Sequence, residues 1–180
     1  MTPGQASVRG LFTGGTFCYE AQLVFTAHSL PCRSNVPAAG VLPFESGDGG
    51  HIFLDLGDDG YTRGHPHPMI DPSLRDAAVR AQAADPETAA ILFDVVLGFG
   101  SHHDPAGRLA RALADARREA REDGRTLAMI GHVCGTDGDP QNKAAQVRQL
   151  EAAGALVVDG NFEAAMVASY LATRMPVARR

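Results

Sequence analysis

Residues 89–97 read Ala89-Ala90-Ile91-Leu92-Phe93-Asp94-Val95-Val96-Leu97, an apolar run that only Asp94 interrupts. A strand with one wet face alternates apolar and polar side chains, whereas a strand covered by helices on both faces is apolar throughout. The run is too short for a typical helix and rich in β-branched and aromatic residues, so it reads as a fully buried strand. Such a strand belongs to a parallel sheet with helices on both sides.

The flanking sequence repeats this alternation. Upstream, 8–12 (VRGLF) and 51–56 (HIFLDL) read as strands. Gly14-Gly15 ends the first, and Phe17, Ala21, Val24 and Phe25 then recur about one helical turn apart. Asp71 is placed to cap, and Pro72 to open, a helix reaching about residue 84. Downstream, Asp104 and Pro105 repeat that signal for an amphipathic helix ending at Gly124. Leu109, Leu113 and Ala116 lie on its inner side and Arg111, Arg118 and Glu122 on its outer side. A fourth strand (127–133), a helix closed by Gly154, a fifth strand (155–158) and a last helix capped by Asn161 complete the series. Residues 29–50 hold Pro31, Pro37, Pro43 and a glycine cluster, and read as a long irregular connection. Five strands alternating with five helical segments require crossovers and hence a parallel α/β sheet, expected as a single domain over residues 1–180.

Composition narrows the class of function. The 180 residues are 44% hydrophobic, enough for a core without disulfide or metal staples. A formal net charge of −5 offers no basic surface to track a phosphate backbone, so nucleic acid is not an expected partner. The opening MTPGQASVRG lacks the basic and apolar regions of a signal peptide, and no apolar run is long enough to span a bilayer. A cytoplasmic protein without membrane association is expected. Cys18, Cys32 and Cys134 are odd in number and form no C-x-x-C pair, which fits a reducing compartment and no thiolate zinc site.

In open α/β sheets ligands bind beyond the carboxyl ends of the strands, so the loops there carry the candidate chemistry. After the first strand, Gly14-Gly15-Thr16 offers bare backbone N–H groups at a helix start to an anion, or merely makes a tight turn. After the second come Gly57, Asp58 and Asp59, then Arg63, His65, His67 and Asp71. A metal site there is disfavoured, since closed Cys/His spacings are lacking. Arg63 either pairs with Asp58 or Asp59 or grips a carboxylate or phosphate. Asp94 must be hydrogen-bonded if buried, as a structural strand-end carboxylate or in an active site. Ser101, His102 and His103 follow the third strand, where either imidazole is a candidate acid or base or a plain surface residue beside a helix cap. The fourth loop, Cys134-Gly135-Thr136-Asp137-Gly138-Asp139-Pro140-Gln141-Asn142, is the most polar stretch. Its backbone and the Gln141 and Asn142 amides are favoured as ligand contacts over a Cys134 nucleophile.

Four ordered runs, VRGLFTGGTFCYEA, GDDGYTRGHPHPMIDPSLR, DPETAAILFDVVLGFGSHHDPAG and VCGTDGDPQN, resemble the carboxy-terminal part of the FdrA family. That family is a branch of the NDP-forming acyl-CoA synthetase superfamily, and the resemblance spans about residues 8–165. More distantly, GTFCYEA from Gly15 to Ala21 is similar to the first turn of the ligase domain of succinyl-CoA synthetase alpha subunits. The resemblance implies a three-layer flavodoxin-like fold with strand order 2-1-3-4-5. It further implies a subunit of an FdrA-type carbamoyltransferase assembly of purine (allantoin) catabolism, homo- or hetero-oligomeric, moving a carbamoyl group between carbamoyl phosphate and an oxamate- or ureide-type acceptor. Arg63, His102, His103 and Asp139 would be catalytic. Gly14, Gly15, Thr16, Asp58, Cys134, Gly135, Thr136, Gln141 and Asn142 would bind the small anionic substrate. No cofactor or metal is expected, with CoA or a nucleotide entering only where partner chains supply those sites. The GHAGA loop that carries a phosphohistidine in succinyl-CoA synthetases is missing here, and His132 lies in the preceding strand. A phosphohistidine relay is therefore not expected. Two alternatives stand beside this reading, a subunit of a CoA-dependent NDP-forming ligase and a non-catalytic scaffolding subunit.

Overall fold

The computed structural model describes residues 2, 4–47 and 50–175. In chain order these form β1 (Ser7–Phe12), α1 (Gly15–Ala27), β2 (Cys32–Ser34), β3 (Leu42–Pro43), a 3₁₀ turn (Phe44–Ser46), β4 (His51–Asp55) and α2 (Asp59–Thr62). They continue with α3 (Ser73–Ala84), β5 (Thr88–Val96), α4 (Pro105–Glu122), β6 (Ala128–Cys134), α5 (Lys143–Ala152), β7 (Leu156–Val158) and α6 (Asn161–Ala172). The strands make one sheet in the order β3-β2-β4-β1-β5-β6-β7, and every pairing is parallel. The five strands expected from sequence keep the order 2-1-3-4-5 within it.

The difference is at one edge. The 29–50 segment, expected to be irregular, contributes β2 and β3, which extend the sheet beyond β4 to seven strands. Its prolines permit this because Pro43 sits on the outermost strand, where a missing N–H costs no ladder bond.

β5 lies inside the sheet, with β1 on one side and β6 on the other, and its residues are buried up to Val95. On one face α3, α4 and α5 cover Leu11, Ile91, Phe93 and Val95, with Leu109 and Leu113 packing down from α4. On the other, α1 and α6 cover Phe12, Phe53 and Leu92, with Phe25, Ala164 and Ala168 against them. Gly10 leaves room for the Phe53 and Phe12 rings where a Cβ would stand. Helix α4 starts as expected, with Asp104 accepting the Gly107 N–H and Pro105 in the first turn. Asp71 accepts the Ser73 N–H ahead of α3. Asn161, expected to cap the last helix, is instead its first residue, and Gly160 holds the cap position without a side-chain bond. The Asn161 amide is drawn away to the Phe17 carbonyl and Glu20. Among the described residues no helix is long and apolar enough to cross a membrane.

Candidate functional site

The carboxyl ends of β1, β4, β5, β6 and β7 lie along one edge of the sheet, as parallel strands require. Asp94, the one charged residue of β5, organises that edge. Its Oδ1 accepts the Thr13 N–H at 2.8 Å and its Oδ2 accepts the Thr13 hydroxyl at 2.7 Å. Both residues are buried, and this fixes the chain where it leaves β1. The turn enters α1 at Gly15 with Gly14 extended and no side chain capping the helix. Among the described residues nothing accepts the N–H groups of Gly15 or Thr16, while those of Phe17 and Cys18 turn back to the Gly14 carbonyl. These free donors at a positive helix end are an anion-binding arrangement.

A carboxylate shares the mouth of this turn. Asp55, ending β4, uses Oδ1 to accept the Gly57 N–H, and a Cβ at Gly15 would lie 2.8 Å from its Oδ2. Burial raises the Asp55 pKa above the usual carboxylate range, the Gly57 N–H opposes this, and the Asp58 charge adds to it. Gly57 is pinned between the His67 imidazole and the Thr13 carbonyl, so that no side chain fits there.

Most of the other expected contacts have structural partners. Asp58 caps α2 by accepting the Gly60 N–H at 2.8 Å. Arg63 is exposed just beyond that helix and forms no ion pair among the described residues, so it does not pair with Asp58 or Asp59. His102 and His103 stack with centroids 4.3 Å apart. His102 Nδ1 accepts the Asp104 N–H, and the His102 backbone N–H donates to the Met69 carbonyl. Asp139 Oδ2 accepts the Thr136 N–H at 2.6 Å and its hydroxyl at 3.2 Å, closing its own turn below Gly135. Gln141 is a buried strut: its amide accepts from Gly98 N–H and donates to the carbonyls of Gly98 and His102, tying the β6 loop to the β5 loop. Asn142, in the left-handed region at φ 59°, caps α5 through the Ala145 N–H. Gln141, one of the favoured ligand contacts, thus spends its amide on the fold, and Asn142 spends its side-chain carbonyl oxygen there.

His132, which the sequence reading placed in a strand and did not count among the site residues, lies beside this edge. It is the register partner of Asp94 on β6 and 3% exposed, with no hydrogen-bond partner on either ring nitrogen among the described residues. Its ring meets Phe17 edge-on at 4.7 Å. Burial lowers its pKa, against the opposing charges of Asp94 and Glu20. Together with half-buried Cys134 it lines a cleft of about 410 Å³ beside the start of α6. A histidine inside an apolar strand was the available signal, of the same kind that singled out Asp94.

The model of the CoA-ligase family matches residues 11–171 of the chain. The chain is also 36% identical over 170 residues to "Uncharacterized protein YahF" of Escherichia coli (strain K12), an alignment covering 93% of this chain and 33% of that protein. It therefore spans about a third of the length of the curated relative it matches.

Proposed function

Since the chain belongs to the CoA-ligase family, we propose that it serves as the ligase-type unit of a CoA-dependent, NDP-forming acyl-CoA ligase, with the CoA-binding and nucleotide-binding parts supplied by other domains or subunits. The observation that carries this reading is the turn at Gly14-Gly15-Thr16, held by Asp94 through Thr13 and ending in unaccepted N–H donors. As an acyl phosphate is made or broken, negative charge gathers on its phosphate oxygens, and fixed backbone donors stabilise such charge without rearranging. The turn would hold those oxygens, and Arg63, exposed and without an ion pair among the described residues, is free to approach them from the β4 loop.

CoA enters as a substrate from a partner. The cleft beside His132 does not fit its pyrophosphate, because Glu20, Asp159 and Glu163 line it against a single lysine, Lys143. The ring of His132 is buried edge-on against Phe17, which supports a reading without a phosphohistidine on this residue.

The same turn would serve an FdrA-type carbamoyltransferase, which the four sequence runs imply, but the family match favours the ligase. Reconstitution separates the two. Mixed with chains carrying CoA-binding and nucleotide-grasp domains, the protein should support nucleotide- and CoA-dependent acyl-CoA formation, and Gly15→Asp should abolish it. Carbamoyl transfer from carbamoyl phosphate without CoA would instead support the FdrA-type reading.

A further inference from the structure

Helices α1 and α6 pack side by side on one face of the sheet, and both are poor in charge. In α6 (NFEAAMVASYLA) Glu163 is the sole charged residue, and in α1 (GTFCYEAQLVFTA) it is Glu20. Helix α4, on the opposite face, instead turns Arg111, Arg118 and Glu122 to solvent. A helix with water along one side carries polar residues there, whereas one that is apolar nearly all round is covered on that side as well. Tyr19 and Leu23 of α1 and Tyr170 of α6 are nonetheless 45–60% exposed in the single chain.

The outer stripe of α6 specifies what covers it. Glu163, Val167, Tyr170 and Arg174, the last just beyond the helix end, follow one another at intervals of four, three and four residues and so share one side of the helix. That side lies opposite the buried Ala165, Ala168 and Ala172. Read in order, the stripe is acidic, apolar, aromatic and basic. Glu163 and Arg174 stand about 16 Å apart along the axis, too far to pair within one chain, and neither forms an ion pair among the described residues. The Arg174 guanidinium lies over the Tyr170 ring, 3.4 Å from its centroid, so the basic end carries its charge on the stripe itself.

A stripe of this order is its own complement. A second copy related by a two-fold axis midway between Val167 and Tyr170 runs its α6 antiparallel to the first. Glu163 and Arg174 are equidistant from that axis, as are Val167 and Tyr170. Each Glu163 therefore meets the partner's Arg174, and each Val167 the partner's Tyr170. Closed two-fold interfaces require such self-complementarity, and unlike charges at both ends fix the antiparallel register against the parallel one.

We propose that the chain forms a two-fold dimer through this face, α6 lying antiparallel on the α6 of a second copy, with a Glu163–Arg174 ion pair at each end and Tyr19 and Leu23 of α1 flanking the apolar centre. The dimer does not depend on the ligase reading.

The test is sedimentation equilibrium of the full chain and of charge-reversal variants. At tens of micromolar the wild type should show twice the 18.9 kDa of one chain and dissociate on dilution. Glu163→Arg and Arg174→Glu each set like charges against one another at both ends and should weaken the dimer at least tenfold. The double variant Glu163→Arg/Arg174→Glu restores unlike pairs and should recover to within threefold of the wild type. Tyr170→Asp, which puts a charge into the centre, should leave only monomer. Both reversed residues are exposed, and circular dichroism checks that each variant keeps its fold. A wild type that stays monomeric at hundreds of micromolar, single reversals that leave the dimer unchanged, or a double variant as weak as the singles would overturn the proposal. So would a monomer that gains mass only when chains carrying CoA-binding and nucleotide-grasp domains are added, which would assign the face to them.

Discussion

Thr13 is held twice by Asp94, through its N–H at 2.8 Å and its hydroxyl at 2.7 Å, in a place that solvent does not reach. The carboxylate that breaks the apolar run of β5 is therefore the anchor of the β1–α1 turn, acting on any ligand only through that turn. Removing it leaves two buried donors unpaired, and hydrogen bonds to a charged group contribute about 1.5–3 kcal/mol each. Asp94→Ala should lower the unfolding free energy by about 3–6 kcal/mol, measured by urea denaturation. Asp94→Asn, which can still accept from the Thr13 N–H, should lose no more than about half of that. Equal stability of wild type and Asp94→Ala would remove Asp94 from this role.

Asp55 competes with any anion at the Gly15 turn. Its carboxyl titrates above the usual range, chiefly through burial. A carboxyl with a raised pKa becomes neutral at a higher pH than an ordinary one, so phosphate binding should strengthen as pH falls through that titration. Asp55→Asn should tighten phosphate binding at neutral pH by about fivefold or more and flatten its pH dependence, a repulsion of about 1 kcal/mol having been lifted. Weaker binding in Asp55→Asn would mean that Asp55 assists the ligand.

His51 makes a separate prediction about pH. Its Nδ1 accepts the Val8 N–H at 3.1 Å. Burial, with the Arg9 charge adding to it, pushes its pKa down to about 4. The unfolded chain, with a histidine pKa of about 6.5, binds that proton more readily, so stability is complete above about pH 6.5 and falls as pH drops toward 4. The loss should approach about 3 kcal/mol by pH 4. His132, also lowered, acts in the same direction, and Asp55 in the opposite one. The difference between wild type and His51→Gln isolates the histidine, and a pH-independent difference would contradict the assignment.

The fold was legible because burial on both faces leaves a direct trace in composition. The run at 89–97 and the Asp104-Pro105 start required only local physics. β2 and β3 were hidden because three residues and two residues carry no periodicity, and they exist only through pairing along the β4 edge. Asn161 reads locally as a cap, but its amide is captured by Phe17 and Glu20, more than a hundred residues away. The candidate site was legible at Gly14-Gly15-Thr16, where the signal is local, and not at His132. Sequence shows a histidine in a strand. Only the packing of Phe17 and α6 shows that both its nitrogens are buried and, among the described residues, unpaired.

The central claim is that the Gly14-Gly15-Thr16 turn takes a phosphate group, and amide chemical shifts report on it residue by residue. With the backbone assigned by NMR, titration of the full chain with inorganic phosphate should move the Gly15 and Thr16 amides along a saturable curve, the remote Gly124 amide staying still. In Gly15→Asp the movement should vanish, since the new side chain meets Asp55 and adds a charge at the mouth. Unmoved Gly15 and Thr16 amides at saturating phosphate, or the same curve in Gly15→Asp, would contradict the account.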